Sequence, residues 1–292
     1  MKAIKYFIEF IVIISLFLIF KLLGRKIASD LGCIIANFAG SSFRSKKRVE
    51  KNLQKAFPKI SNIDKKIYIQ EMWCNFGRTF AEYVYLKNFR QNKENHIKID
   101  GMEIIDLLKL SNAPVVFISG HFANFELMAM ELDRRNLNIA AIYRPLNNFF
   151  LNPLMEYWRK KYICNFQIPK KIPGKKSDGT RKFLKAVQNK TNIAVMVDQS
   201  VTQGKRINFF NEQAFTTSIP AQLALKYNYQ IVPVSITRIK KYQFVMNIFQ
   251  PLSIDRQKDN ELTIGKKINQ TIEEMVIKNP GQWIWTHNRW KI

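Results

Sequence analysis

The chain opens with a nearly continuous apolar run: from Tyr6 to Leu23 only Glu9, Ser15 and Lys21 interrupt it. That pattern predicts a helix at the short edge of what crosses a hydrocarbon core. In "SKKRVEKNLQKAFPKIS", Val49, Leu53 and Phe57 fall at helical spacing between basic residues, and Pro58 marks the stop. A second helical pattern runs from Asp64 to about Leu86, "DKKIYIQEMWCNFGRTFAEYVYL". The polar stretch "QNKENHIKIDG" then reads as a turn, with His96 as a surface residue.

Beyond residue 100 the period changes. Short apolar runs ("APVVFIS", "LNIAAIYR", "TNIAVMVDQ", "QIVPVSITRI") alternate with amphipathic segments ("FELMAMELDRRN", "NPLMEYWRKKY", "TRKFLKAVQNK", "SIPAQLALKYN"). "YQFVMNIFQPL" adds a strand, a last helix covers about Asp259 to Lys278, and "FFNEQAFTTSIPAQLA" reads as a loop entering a helix. Alternating elements with unbroken apolar strands predict an α/β layer fold. The expected organisation is an anchor helix over 1–26, a helical arm over 27–100 and an α/β domain over 101–292.

Composition narrows the setting. The 292 residues, 47% hydrophobic and 24% charged, suffice for a sizeable core. The net charge of +25 favours an anionic partner, and the abundance of Lys, Ile and Asn explains part of it as compositional drift. A secretory signal shares the charged start and apolar centre of the first helix, but "LLGRKIASD" is a poor cleavage site and more apolar helix follows. Positive charge gathers after the run, at Arg25, Lys26, Arg44, Lys46, Lys47 and Arg48. That asymmetry predicts a retained anchor, either spanning or interfacial, with the body on the cytoplasmic side. Cys33, Cys74 and Cys164 are widely spaced and odd in number, which predicts three idle thiols in a reducing compartment.

Chemistry concentrates in "PVVFISGHFANFELMAME". Inside one helix His121 and Glu126 would stand about 140° apart and could not meet. If "VVFIS" is a strand and Gly120 the turn, His121 precedes the helix and Glu126 lies within it. The imidazole can then swing back to the carboxylate. Such a pair is a base with its orienter, the back half of a catalytic triad. The chain has neither a GxSxG elbow nor a Cys beside the His. The nucleophile is therefore elsewhere in the chain or on the substrate. A helix-capping His with an ordinary surface Glu is the competing reading.

"GHFANFE" resembles the H-x4-D/E block of the glycerolipid acyltransferase superfamily, and more closely that of the bacterial lipid A biosynthesis acyltransferases, the lauroyl and myristoyl transferases. "RVEKNLQKAFP", "YRPLNN", "VMVDQS", "INFFNEQAFTT" and "WIWTHNRWK" agree with the same family in order. Two departures are Asn211, where members often carry glycine, and Asn288, where they often carry arginine. The resemblance implies a mixed sheet flanked by helices. It also implies transfer of a fatty acyl chain from the thioester of an acidic acyl carrier protein to a hydroxyl on the 3-hydroxyacyl chain of an anionic Kdo-lipid A precursor. No acyl-enzyme forms in that family, His121 is the general base, Glu126 orients it, and the substrate supplies the nucleophile.

Further residues take roles within that reading. Arg144 ends a predicted strand, where α/β enzymes gather their chemistry, and suits contact with substrate or the oxyanion. Asp198 and Gln199 end another strand and support the site; Asn124 braces the turn between His121 and Glu126. Arg181 opens a helix, to meet a lipid phosphate or sugar or simply to be solvated. Phe209 and Phe210 line an acyl groove or pack in the core. His287 lies in an aromatic-basic tail outside the site. His96, His121 and His287 share no ligand spacing, so no metal or other cofactor is expected. The same chemistry on a glycerol phosphate or mannosylated inositol lipid is the near alternative. A non-enzymatic, membrane-tethered basic protein binding anionic lipid or nucleic acid is the distant one. No zinc-finger spacing, basic zipper or GXXG clamp supports nucleic acid as a partner.

Overall fold

A computed structural model of the chain describes residues 1–43, 45–92, 94–170 and 178–291; Arg44 lies outside them. Helix α1 runs Lys2–Phe43, with a break at Gly24, whose φ of 77° suits a residue without Cβ. Helix α2 (Lys46–Ala56) starts where the Ser45 side chain accepts the Arg48 N–H. Helix α3 (Asn62–Glu82) starts where Ser61 caps Asp64. After the break α1 packs along α3. The backbones of Gly32 and Gly77 meet so closely that a Cβ on either would strike the other helix. The same approach pairs Cys33 with Cys74 as a disulfide, their Cα atoms 3.9 Å apart. That corrects the expectation of three idle thiols: Cys164 alone is free, and it is buried.

A 3₁₀ turn (Tyr83–Tyr85) and α4 (Leu86–Gln91) lead into β1 (Ile97–Asp100) and α5 (Met102–Ser111). The sheet therefore begins inside the stretch expected to be helical arm, within "HIKIDG". There follow β2 (Val115–Ser119), α6 (Glu126–Arg134), β3 (Ile139–Tyr143), α7 (Asn152–Trp158) continuing as a π-helical turn (Arg159–Ile163), and β4 (Phe166–Pro169). Then come α8 (Gly179–Gln188), β5 (Asn192–Met196), β6 (Lys205–Phe209), β7 (Glu212–Thr216), α9 (Ile219–Tyr227), β8 (Gln230–Lys240), β9 (Gln243–Ile248) and α10 (Glu261–Lys278).

Seven strands form one mixed sheet in the order β1-β9-β8-β2-β5-β3-β4. Strands β8, β2, β5, β3 and β4 are mutually parallel; β9 runs antiparallel to β8, and β1 runs parallel to β9. Every residue of the central β2 is buried, as a parallel strand covered on both faces requires. Two large apolar clusters cover those faces. One contains Phe117, Leu127, Met130 and Val232; the other contains Val116, Ile118, Ile231, Ile268 and four tryptophans. The expected mixed α/β sheet with flanking helices and an apolar N-terminal helix is thus what the chain forms.

Strands β6 and β7 make a separate antiparallel hairpin, not a loop. Phe209 pairs with Glu212, so Phe210 and Asn211 form a two-residue turn with φ of 52° and 60°. Asn accepts that conformation readily, whereas Phe at positive φ gives no hairpin signal.

His96 is buried, at 1% exposure, instead of lying on the surface. Its ring meets Phe89 edge-on at 4.7 Å, and neither ring nitrogen has a hydrogen-bond partner among the described residues. Burial first, then the charges of Arg25 and Arg134, lower its pKa to about 4. An unfolded chain protonates this histidine near pH 6.5, a proton the fold refuses until about 4. Stability is therefore full above about pH 6.5 and declines as the pH falls toward 4. Replacing His96 by Phe should flatten part of that decline in thermal melts between pH 7 and 4. Separately, Gly77→Leu should separate α1 from α3 and destabilise the protein by about 1–3 kcal/mol or more, read as a lowered melting temperature.

Candidate active site at the carboxyl ends of the parallel strands

Adjacent strands end in register. Ser119 of β2 pairs with Met196 of β5, and the Val197 N–H donates to the Ser119 carbonyl at 2.9 Å. Two residues beyond each strand stand His121 and Asp198. Tyr143 of β3 likewise pairs with Pro169 of β4, and the next residues are Arg144 and Lys170. The topology thus gathers a base, an acid and two cations at one end of the sheet, where open α/β sheets carry ligands.

Gly120 is required by close approach: a Cβ there would meet the Phe122 ring, with the Asp198 Oδ2 at 3.3 Å. The chain from His121 to Phe125 is non-helical and α6 starts at Glu126, as the spacing predicted. Ala123 sits at φ 45°, a conformation that needs outside support. That support comes from three hydrogen bonds. The Ala123 carbonyl accepts from Thr79 Oγ1 at 2.9 Å and from Asn75 Nδ2 at 3.4 Å, and its N–H donates to the Gln282 carbonyl at 3.1 Å.

The carboxylate at His121 belongs to Asp198. His121 Nδ1 lies 2.8 Å from Asp198 Oδ1, while the His121 N–H and Trp283 Nε1 both donate to Oδ2 at 2.8 Å. Burial alone would raise the Asp198 pKa; the facing imidazole and these donors outweigh it and hold the carboxyl far below its ordinary range. An ionised Asp198 keeps the proton on Nδ1, which leaves Nε2 with its lone pair. Nε2 faces the Gln199 carboxamide at 3.4 Å, and the His121 side chain keeps 18% exposure.

Glu126 does not touch the imidazole, contrary to the expectation from the motif. It is the first residue of α6 and is buried against the other side of the turn. There its Oε1 accepts from Arg159 Nε at 3.0 Å and Nη2 at 2.7 Å, and from the Tyr83 hydroxyl. Helix geometry explains the difference: residue 126 already follows α6, whose first turn faces the 3₁₀ turn and the π-helical turn. Sequence gave no sign of Arg159 or Tyr83, which join the site only through tertiary packing.

Asn124 is buried, its Nδ2 donating to Glu82 Oε2 at 2.9 Å. Arg144 is exposed at the strand end; beside it the Lys170 pKa is lowered, chiefly by that lysine's own burial, with Asp198 opposing and the Arg144 charge adding to the lowering. Arg181 stands apart from the dyad, lining a cavity of about 680 Å³ with Asn138, Ile139, Phe166 and Lys185, where β3 and β4 begin. Phe209 and Phe210 are core residues and not an acyl groove. Phe209 stacks with Trp283 and Trp290, and Phe210 with Phe57. The two-residue turn leaves both rings facing inward.

His287 belongs to the neighbourhood after all. Its Nε2 accepts the Ser200 N–H at 3.0 Å, one residue from Gln199. Burial, chiefly, lowers its pKa to about 4, so it is a neutral acceptor at neutral pH. The tail holding it is fastened by Asn52 of the "RVEKNLQ" segment, whose Nδ2 donates to the carbonyls of Trp285 (2.8 Å) and His287 (2.7 Å). Trp283 also bridges to Phe122 beside the dyad. Spacing offered no route to these contacts, since residues 52, 121, 198 and 287 meet only in three dimensions.

Known proteins resemble this chain in sequence. The chain matches the family described as bacterial lipid A biosynthesis acyltransferase over residues 1–292. It is 24% identical to the lipid A biosynthesis lauroyltransferase of Escherichia coli (strain K12), over 89% of this chain and 84% of that protein. It is 22% identical to the lipid A biosynthesis myristoyltransferase of the same organism, over 86% and 77%. With lipid A biosynthesis acyltransferase 2 of Shigella flexneri it shares 21% identity, over 84% and 77%. The chain belongs to the bacterial lipid A biosynthesis acyltransferase family.

Proposed function

We propose that this protein is a membrane-associated acyltransferase that moves a fatty acyl chain from an acyl-carrier-protein thioester to the hydroxyl of a 3-hydroxyacyl chain on a Kdo-lipid A precursor. Family membership supports acyl transfer to a lipid A-type acceptor. The observation that carries the mechanism is the 2.8 Å contact between His121 Nδ1 and a buried Asp198, with Nε2 left on the accessible side.

Nε2 takes the proton of the acceptor hydroxyl as its oxygen attacks the thioester carbonyl. The C–O bond forms, the C–S bond breaks, and the proton passes from His121 to the departing thiolate. Asp198 stabilises the transient imidazolium without taking its proton. No protein nucleophile is needed, which accounts for the missing serine or cysteine. Arg144 supplies positive charge for the tetrahedral oxyanion or the substrate's own anions, and Gln199 contacts the reacting edge of the imidazole. Glu126 acts through Arg159, fixing a buried guanidinium beside the turn; in this geometry it is a positioning residue. The anionic acceptor and an acidic carrier protein both suit a chain of net charge +25.

With a Kdo-lipid A precursor and acyl-carrier thioesters of several lengths, mass spectrometry reads class, acceptor and chain preference together. His121→Ala should lower the rate by about 100-fold or more while the protein stays folded; wild-type turnover in that variant would sink the assignment. Asp198→Asn should cost as much as the histidine change, and Glu126→Gln less. The reverse order would return the orienting role to Glu126. Asp198 also makes stability acid-sensitive. Its contribution is complete above the unfolded carboxylate value of about 4 and is lost as the pH falls through its depressed folded value. Acid unfolding of Asp198→Asn should lack that component.

A further inference from the structure

The first part of α1 has the length and composition of a membrane span, with a mean hydropathy of 2.5. Its contacts do not fit a span. The Tyr6 carbonyl accepts from Asn148 Nδ2 at 2.8 Å, and the Tyr6 ring meets Phe149 at 5.7 Å. Phe10 meets Phe150 at 6.1 Å, Phe17 packs on Phe80 and Trp158, and Lys21 Nζ donates to the Val84 carbonyl at 3.4 Å. The helix is therefore held against the catalytic domain along its whole first part. Tyr6 and Lys21 lie about 22 Å apart at 1.5 Å per residue. Were Lys21 at the domain-side interface of a spanning helix, Asn148 and the irregular chain leading back to Arg144 would sit deep in a core about 30 Å thick. Lipid-exposed irregular backbone is not tolerated there.

The other face of the same helix is apolar and uncovered. Ile4, Ile8, Ile11, Leu18 and Leu22 are between 47% and 86% exposed and follow one helical stripe. Phe149 and Phe150, 51% and 36% exposed, extend it. A helix apolar all round must be covered on both sides. Here protein covers one side; Lys2 and Lys5 at the start of the helix, and Lys160 and Lys161 just after Trp158, are exposed.

We propose that the first part of α1 lies in the plane of a single anionic leaflet, seated between lipid and catalytic domain, with both of its ends on the domain's side of the membrane. The lipid-facing stripe then continues into the Phe149–Phe150 loop, rooted at Arg144. An acceptor held in that leaflet would reach the end of β3 sideways, without leaving the membrane.

The test is topological and does not depend on transferase activity, so its failure leaves the proposed reaction standing. Lys5→Cys and, on exposed α10, Lys266→Cys are introduced separately into the full chain, with the parent chain as the labelling background. Membrane-impermeant maleimide is applied to spheroplasts and to inverted inner-membrane vesicles. The proposal expects both positions to label in inverted vesicles and both to lose labelling in spheroplasts. Labelling of Lys5→Cys from the side opposite to Lys266→Cys means that α1 spans, and overturns it. Protection of Lys5→Cys from both sides until detergent is added also overturns it, and a dimer in detergent would then identify a second copy of this chain on the stripe.

Discussion

The arrangement turns on one buried anion. The Asp198 carboxylate is 3% exposed and would be costly there if unpaired. Its three donors come from distant parts of the chain: the backbone and ring of His121 and the indole of Trp283. Satisfying the anion therefore fixes three things at once. It fixes the turn after β2, the tautomer of its histidine and the path of the C-terminal tail. The imidazole acquires its orientation as a by-product of satisfying a charge that the fold has already enclosed.

Around that anion the tail closes like a clasp. Asn52 holds the carbonyls of Trp285 and His287, His287 holds the Ser200 N–H, and Arg289, fully buried, reaches Thr216 Oγ1 at 2.8 Å and Asn269 Oδ1 at 3.1 Å. Separate segments of the sequence thus become one hydrogen-bonded unit. Each such buried polar group is costly when stripped of its partner, so the tail cannot shift alone.

Sheet strands, flanking helices and the His121–Glu126 turn were legible because they follow local rules: apolar runs, caps, and a glycine before a helix. Asp198 was legible as a strand-end acid but not as the partner of His121, since that depends on β2 and β5 being neighbours. Glu126 was misread for the same reason. Spacing states where a carboxylate lies along the chain, whereas the direction of the first turn of α6 decides what it meets. The β6–β7 hairpin was hidden by a phenylalanine in a left-handed turn, and β1 by the polar residues around it. Phe209 and Phe210 could not be sorted between groove and core, because aromatic residues suit both and only the returning tryptophans decide.

A second buried charge joins the N-terminal helix to this centre. Glu82, fully buried on α3, accepts from Arg238 Nη1 at 2.5 Å and Nη2 at 3.0 Å, from Ser29 on α1 at 3.1 Å, and from Asn124 beside the dyad at 2.9 Å. Losing one partner of such a buried pair typically costs about 3–5 kcal/mol, so these groups hold one another in a single arrangement. Ser29 lies just past the break at Gly24, where α1 turns from its exposed apolar face to its packing on α3. A polar path thus runs from α1, through Glu82, to the turn that carries His121. The glycine break allows the two parts of α1 to serve different partners. The Glu82 cluster ties the part of α1 after the break to the turn that carries His121.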